Sequence, residues 1–409
     1  MIAPKVTRRL VFHIGGYDPI TPPGAAHSRF IRELKRFERV WFVACSVSAA
    51  KFSQDTMSWD VRTDGQNWRV AADYRVIRWD DVITALDRQP AWRRIPLGMW
   101  AFLDFLTAGA LRGYLRTNWH YALFFLYPFA VFALLAILAT ALGTFACHMG
   151  MSIAAGSSVG CAAFVLLLLG PWRWLHLAPL FDDWIFSRAY VRGSNLVLEQ
   201  RLSRIAAQMS EAARQVCADE ILIVGHSLGA VLAIDLIDRA LALDPSFGTK
   251  GPRVAFISVG SSILKIGLHR AAHRFRAAVQ RVASAPGVFW GEYQARIDIM
   301  NFYNTDPIAQ MALSSPRGPL VRLVEISRML ERVVYRRIRL KFFRIHCQFV
   351  SGNDRRAAYD YFMLVCGPLS AEAQTVSPDG ALSMINDRGV LESRFLTNCP
   401  SDELQGAQL

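Results

Sequence analysis

Apolar positions along the chain fall into short runs, helical spacings and one long block. Arg9 to Ile14 is a short β-branched, apolar run that stops at Gly15-Gly16, which predicts a strand ending in a turn. Phe30, Ile31, Leu34 and Phe37 recur at helical spacing within Ser28 to Phe37. Val40 to Val47 and Tyr74 to Trp79 predict two further strands. From Thr117 to Trp172 there is no Asp, Glu, Lys or Arg. Beyond it, Leu198, Leu202, Ile205, Met209 and Val216 keep a near-helical period, with Ser194 or Asn195 as the cap. A strand from Glu220 to Val224, a turn and a helix through Leu241 follow. Strands are expected at Arg253 to Val259, Arg296 to Tyr303 and Phe342 to Val350, and a helix from about Arg355 to Val365.

Strands alternating with helices on both sides of the block predict one α/β domain with a mostly parallel sheet, buried on both faces and interrupted by the block. The expected division is residues 1–116 and 173–368 for this domain, 117–172 for a helical hairpin, and 369–409 for a polar tail.

The block reads as membrane. Tyr121 to Gly143 as a helix spans roughly 34 Å, enough for a hydrocarbon core of about 30 Å. Met151 to Gly170 supplies a second span, in which Gly156 and Gly160 form a small-xxx-small pair. Ala136, Ala139 and Ala141 are the expected partners on the first helix, and Thr144 to Gly150 the joining loop. Arg112 and Arg116 before the block, with Arg173 and Arg188 after it, favour both ends on the cytoplasmic side. Trp119, His120, Trp172, Trp174 and His176 are expected as interfacial anchors. A hairpin buried in a soluble protein is the competing reading. Leu97 to Leu115 fits an interfacial helix or a core helix equally well.

Charge and cysteine usage narrow the classes. Lys plus Arg exceed Asp plus Glu by 13, and no nucleic-acid motif accompanies them, so anionic lipid headgroups are the economical partner. Arg270 to Arg281 and Arg332 to Lys341 concentrate arginine and suit either lipid or a solvated helix face. Seven scattered cysteines without a close pair argue against a disulfide framework or a zinc site. The first residues are not expected to form a signal peptide, because their apolar run is short and continues into a turn.

The candidate chemistry is at Gly225-His226-Ser227-Leu228-Gly229. A strand precedes this pentapeptide and a helix follows, the context in which a serine on a sharp turn is presented as a nucleophile. Gly225 and Gly229 allow close backbone passage, and the Leu228 N–H at the helix start can stabilise an oxyanion.

On these residues the chain resembles the α/β-hydrolase superfamily, its lipase-like branch in particular. VGHSLGAVLAIDL resembles the nucleophile elbow, AFISVGSSILKIG the segment after it, and NFYNTDPIA the acid loop. The resemblance implies a Ser–acid–His order. Ser227 would be the nucleophile and Asp306 the acid, with Asp298 and Asp354 in reserve. His346 would be the base, because only it among nine histidines follows Asp306. HIGGY is similar to the His-Gly segment of lipases and esterases, so Gly15, Gly16 and Tyr17 form the second oxyanion loop, with Gly16 or Tyr17 donating. In many lipase-like hydrolases the histidine stands two residues before a Tyr-aromatic pair; that position here is Ala358. The expected activity is hydrolysis of an acyl ester, a lipid given the hairpin, by a membrane-anchored enzyme without metal or organic cofactor. The alternatives are an inactive hydrolase-fold membrane scaffold and, more remotely, a transporter component.

Overall fold

The computed structural model describes residues 3–17, 25–169, 177–215, 217–392 and 396–397. The expected anchors Trp172, Trp174 and His176, and Arg173, lie outside them. The chain forms two compact units, one of Met1–Asp81 with Asn195–Leu409 and one of Val82–Ser194. The interruption is therefore wider than the uncharged block, and takes in apolar helices on either side of it.

The first unit is built on a nine-stranded sheet. Its strands are β1 (Arg8–Ile14), β2 (Ala44–Val47), β3 (Lys51–Phe52), β4 (Thr56–Asp64), β5 (Arg69–Ile77), β6 (Glu220–His226), β7 (Arg253–Val259), β8 (Val288–Gln294) and β9 (Leu320–Leu323). They lie in the order β9-β8-β7-β6-β1-β5-β4-β2, with β3 pairing β4. From β9 to β5 neighbours are parallel; β4 is antiparallel to β5, and β2 and β3 are antiparallel to β4. The sheet is thus mixed, which corrects the expectation of a mostly parallel one. A tight turn at Gly65, closed by Gly65 N–H to Trp68 O at 2.9 Å, joins β4 to β5 and forces the reversal. Along β4, Met57, Trp59, Val61 and Thr63 are buried while Asp60, Arg62 and Asp64 are exposed. That alternation marks a strand with one solvated face.

The centre reads differently. Every residue of β6 is buried, between β1 and β7 and beneath the Gly229–Leu243 helix. On one side of the sheet Phe30, Leu34, Phe37 and Trp41 from the Ala25–Trp41 helix pack with Val11, Leu222, Ile257, Phe362 and Val365.

Four further expectations are corrected. Arg296 to Tyr303 is a series of turns, and the strand is Val288–Gln294 instead. Phe342 to Val350 is a short helix followed by a 3-10 turn. The expected helix from Arg355 begins only at Tyr361. The expected polar tail is folded as far as Leu391: Leu369, Ala371, Ala381, Met384, Ile385 and Leu391 join the core, and Arg322 donates to Thr375 O at 2.6 Å.

The second unit holds the helices Ala91–Thr107, Ala110–Thr117, Trp119–His148, Ile153–Leu169 and Leu177–Val191. Asn118 caps the long one, its Oδ1 accepting from His120 N at 3.0 Å. That 30-residue helix is long and apolar enough to cross a membrane. Its partner has 17 residues, below the usual length of a span, so two full spans are not established. The two helices are packed backbone to backbone: a side chain at Gly143 would come within 2.8 Å of Gly156 O, and one at Gly160 within 3.1 Å of Ala139 O. The joining turn is shorter than expected, because the first helix runs on through His148.

Candidate active site

Ser227 sits between β6 and the Gly229–Leu243 helix at φ 56°, the left-handed region that a residue with a side chain enters at a cost of about 1–3 kcal/mol. The neighbours explain how the turn is held there. A Cβ at Gly225 would lie 2.4 Å from Ala230 Cα, and one at Gly229 2.1 Å from Ile14 O. Only glycine fits either place. Ser227 N–H donates to Val259 O at 3.1 Å, and Ser227 O accepts from Ala230 N and Ser262 N, each at 3.1 Å. The Gly260-Ser261-Ser262 segment after β7 therefore clamps the turn from the other side.

His346, at the end of the Phe342–His346 helix, pairs with Asp298. Its Nδ1 is 2.7 Å from Asp298 Oδ2, and both side chains are buried. Asp298 lies four residues beyond β8, in a turn pinned by Asn301, whose Nδ2 donates to Ala295 O at 2.9 Å. The other carboxylate oxygen accepts from Met300 N at 2.9 Å. With Nδ1 facing a carboxylate, Nε2 is the ring nitrogen left to take part in chemistry. Nε2 is buried and has no hydrogen-bond partner among the described residues. Ser227 Oγ makes no hydrogen bond to it. The ring lies near the turn: a Cβ on Gly260 would be 3.1 Å from His346 Cε1. The His226 ring is 4.6 Å from it, and His226 Nε2 donates to His346 O at 3.1 Å. Burial, with the neighbouring His346, holds His226 well below its ordinary range, so it is a neutral donor.

The structure does not bring the expected acid, Asp306, to the histidine. Asp306 is exposed and caps the Pro307–Gln310 turn, its Oδ1 accepting from Ile308 N at 2.8 Å. Asp354 accepts from Glu331 N at 3.2 Å. Asp298 alone of the three holds the histidine. Its signal was concealed by the misplaced strand: with a strand over 296–303 Asp298 sits at the wrong end, and with Val288–Gln294 it follows the carboxyl end.

The oxyanion loop arrives from β1. This strand pairs with β5 on one side and β6 on the other, and its carboxyl end stands beside that of β6. Gly16 lies there. A Cβ on it would be 2.7 Å from Ser227 Cβ and 3.3 Å from Ser227 Oγ. Trp79 Nε1 donates to Gly15 O at 3.1 Å, and the Tyr17 ring meets the Trp79 ring edge-on at 6.1 Å. In a trans peptide the N–H points opposite to the C=O, so Trp79 fixes the direction of Gly16 N–H. Trp79→Phe keeps the ring and removes the donor. It is expected to lower kcat of any acyl-ester hydrolysis about tenfold with KM little changed, and to lower the melting temperature by a few degrees because the buried ring is smaller, read by steady-state kinetics and calorimetry.

Two buried polar clusters border the site. His13, the strand residue before the loop, meets Tyr361 Oη at 3.0 Å through Nδ1, and Tyr361 in turn bonds Tyr74. Burial and nearby Arg29 push its pKa down to about 3, so it is neutral. Glu292 on β8 accepts from Ser261 Oγ at 2.6 Å and from Ser258 Oγ, and burial pushes its carboxyl up to about 7. An acid raised on folding binds a proton that the unfolded chain has already lost. Stability from this group is full below about pH 4.5 and falls as pH rises through 7, by about 3 kcal/mol in all. Glu292→Gln should remove that fall, measured as denaturant midpoints at pH 5 and pH 8.

Among the described residues no His, Cys, Asp and Glu cluster is arranged to hold a metal ion. No protein-family model matches the chain, and neither the curated proteins nor the solved structures give a match.

Proposed function

We propose that the chain is a serine hydrolase of the α/β-hydrolase type, cleaving an acyl ester at a membrane with Ser227, His346 and Asp298. The observation that carries this reading is the pairing of two costly features at one sheet edge: a serine held at φ 56° between obligatory glycines, and a buried histidine tied to a buried aspartate. Neither is needed for an ordinary tight turn.

The chemistry follows from those groups. As Ser227 Oγ attacks the acyl carbon, its proton passes to His346 Nε2, and Asp298 stabilises the imidazolium. Negative charge on the carbonyl oxygen falls to the N–H groups of Leu228 and Gly16. His346 then returns the proton to the departing alkoxide, which leaves as the alcohol. Water, deprotonated by the same Nε2, attacks the acyl-enzyme; the acid leaves as His346 returns that proton to Ser227 Oγ. Rotation of the serine side chain brings Oγ to Nε2 when substrate binds.

The membrane part of the reading rests on the Trp119–His148 helix and its closely packed partner. A catalytic unit tethered by that pair meets esters already partitioned into lipid. Arg112, Arg116 and Arg188 flank the apolar helices and favour a cytoplasmic position for both ends. The second reading, an inactive scaffold, draws on the missing hydrogen bond between Ser227 Oγ and His346 Nε2. A panel of p-nitrophenyl esters of increasing chain length, presented in mixed micelles, separates the two. Turnover that Ser227→Ala abolishes supports the enzyme; no turnover across the panel by folded protein supports the scaffold.

A further inference from the structure

The Ala91–Thr107 helix has one face that no described residue covers. Its buried side is made by Arg94, Gly98, Ala101 and Phe105. Arg94 Nε meets Asp182 Oδ1 at 2.9 Å, and a side chain at Gly98 would collide with the Phe181 ring, so this side is packed hard on the Leu177–Val191 helix. The opposite side presents Trp92, Trp100, Leu103 and Leu106, which are 73%, 57%, 43% and 37% exposed. Their spacing places them on one stripe of the helix. Two large indoles in water are an unusual surface for a soluble helix.

The long helix beside it indicates what covers this stripe. Its first turns have one side inside the bundle, where Tyr121, Ala122, Phe124, Phe125 and Pro128 are buried, while Trp119 and Leu123 on the other side are exposed. Phe102 stacks on Phe129 with ring centroids 3.5 Å apart. Beyond Phe129 the pattern changes. Leu134, Ile137, Leu138, Leu142 and Phe145 are exposed, and the buried residues Leu135, Ala139 and Gly143 remain. From Phe129 to His148 the helix rises about 28 Å, close to the hydrocarbon thickness of about 30 Å. The level of Phe129 is therefore the level at which lipid would begin, and Phe102, in the second half of the Ala91–Thr107 helix, stands beside it. Cations are placed to match. The Arg93 guanidinium lies 5.7 Å over the Trp92 ring, the Arg188 guanidinium 5.6 Å over the Trp100 ring, and Arg112 and Arg116 are exposed nearby in sequence.

We propose that the Ala91–Thr107 helix lies in the headgroup boundary of an anionic bilayer, with Trp92, Trp100, Leu103 and Leu106 among the upper acyl carbons and Arg93 on lipid phosphate. This rests on the reading that the Trp119–His148 helix inserts in lipid. It moves the water boundary from Trp119, where the long helix begins, to about Phe129.

The test uses the full chain in liposomes of phosphatidylcholine and phosphatidylglycerol. Flotation comes first: wild type and Trp92→Phe/Trp100→Phe should both rise with the vesicles, because the long helix is intact in each. Tryptophan emission is then read with lipids brominated near the headgroup, and separately with aqueous acrylamide. Trp41, Trp59, Trp68, Trp79, Trp184 and Trp290 are buried and contribute little to either, and Trp119, 56% exposed, is common to both proteins and drops out of the difference between them. The double variant is expected to lose a large share of the bromine-quenched emission and almost none of the acrylamide-quenched emission. In phosphatidylcholine alone the bromine-quenched share of wild type should be smaller. If the two substitutions remove acrylamide-quenched emission instead, the stripe faces water and the proposal is overturned while the inserted helix stands. If wild type does not float, both fall.

Discussion

Ser227→Gly is expected to abolish ester hydrolysis while leaving the protein at least as stable as wild type. The loss follows from the mechanism: without Oγ there is no acyl-enzyme, and the fall in kcat should be on the order of 10⁵- to 10⁶-fold. The stability follows from the backbone. Serine at φ 56° carries a local cost that glycine does not, worth about 1 kcal/mol after allowance for the greater freedom of the unfolded glycine chain. Ser227→Ala should lose the same activity without the gain, since alanine is as strained there as serine. Both are read together, as kcat on the best p-nitrophenyl ester and as the midpoint of denaturant unfolding. A serine in an ordinary turn would show no such divergence, because its removal would cost nothing in activity.

The second large effect separates two aspartates. Asp298→Asn is expected to lower kcat about 10³- to 10⁴-fold, because the amide cannot stabilise the imidazolium and turns His346 towards the wrong tautomer. Asp306→Ala removes an N-cap on a one-turn helix and should cost about 1 kcal/mol of stability, with kcat close to wild type. His346→Ala should match Asp298→Asn or exceed it. If Asp306→Ala were the inactive variant and Asp298→Asn active, the buried pair would be a structural contact and the assignment of the acid would return to Asp306. Measuring kcat for the three on one substrate decides this.

The contrast between these aspartates also shows which parts of the site could be read along the chain. The elbow was legible because its demands are local. Gly225 and Gly229 are required by Ala230 and by Ile14 O, and a strand and a helix visibly enclose them. His346 was reached by chain order. Asp298 stands only in reserve because β8 is poorly marked: Gly291 breaks the run Val288–Gln294, whereas Arg296 to Tyr303 alternates like a strand. Gly291 is there for packing, since a Cβ would press on Ile257 Cδ1 and Thr375 Cγ2 at 2.9 Å each. Thr375 belongs to the segment expected as a loose tail, so the two errors have one cause. Polar residues such as Thr375 and Gln374 are buried there with their hydrogen bonds met, which composition does not reveal. The mixed sheet escaped notice for a related reason. Asp60, Arg62 and Asp64 make β4 look hydrophilic, although its other face buries Met57, Trp59 and Val61.

In the second unit the apolar block was plain, and its internal contact between Gly160 and Ala139 was expected. What the block could not show is where its first helix leaves the protein. That depends on Phe102 and Phe181, which lie outside the block and reach Phe129 only in three dimensions.

The central claim is that Ser227 is an activated nucleophile. The most direct measurement is fluorophosphonate labelling of the full chain in liposomes, for wild type, Ser227→Ala and Asp298→Asn, with intact mass after proteolysis to locate the adduct. The account predicts one adduct on Ser227 in wild type, none in Ser227→Ala, and labelling slowed at least a hundredfold in Asp298→Asn. Folded wild-type protein that takes no label, or a Ser227→Ala variant that labels as fast as wild type, would contradict it.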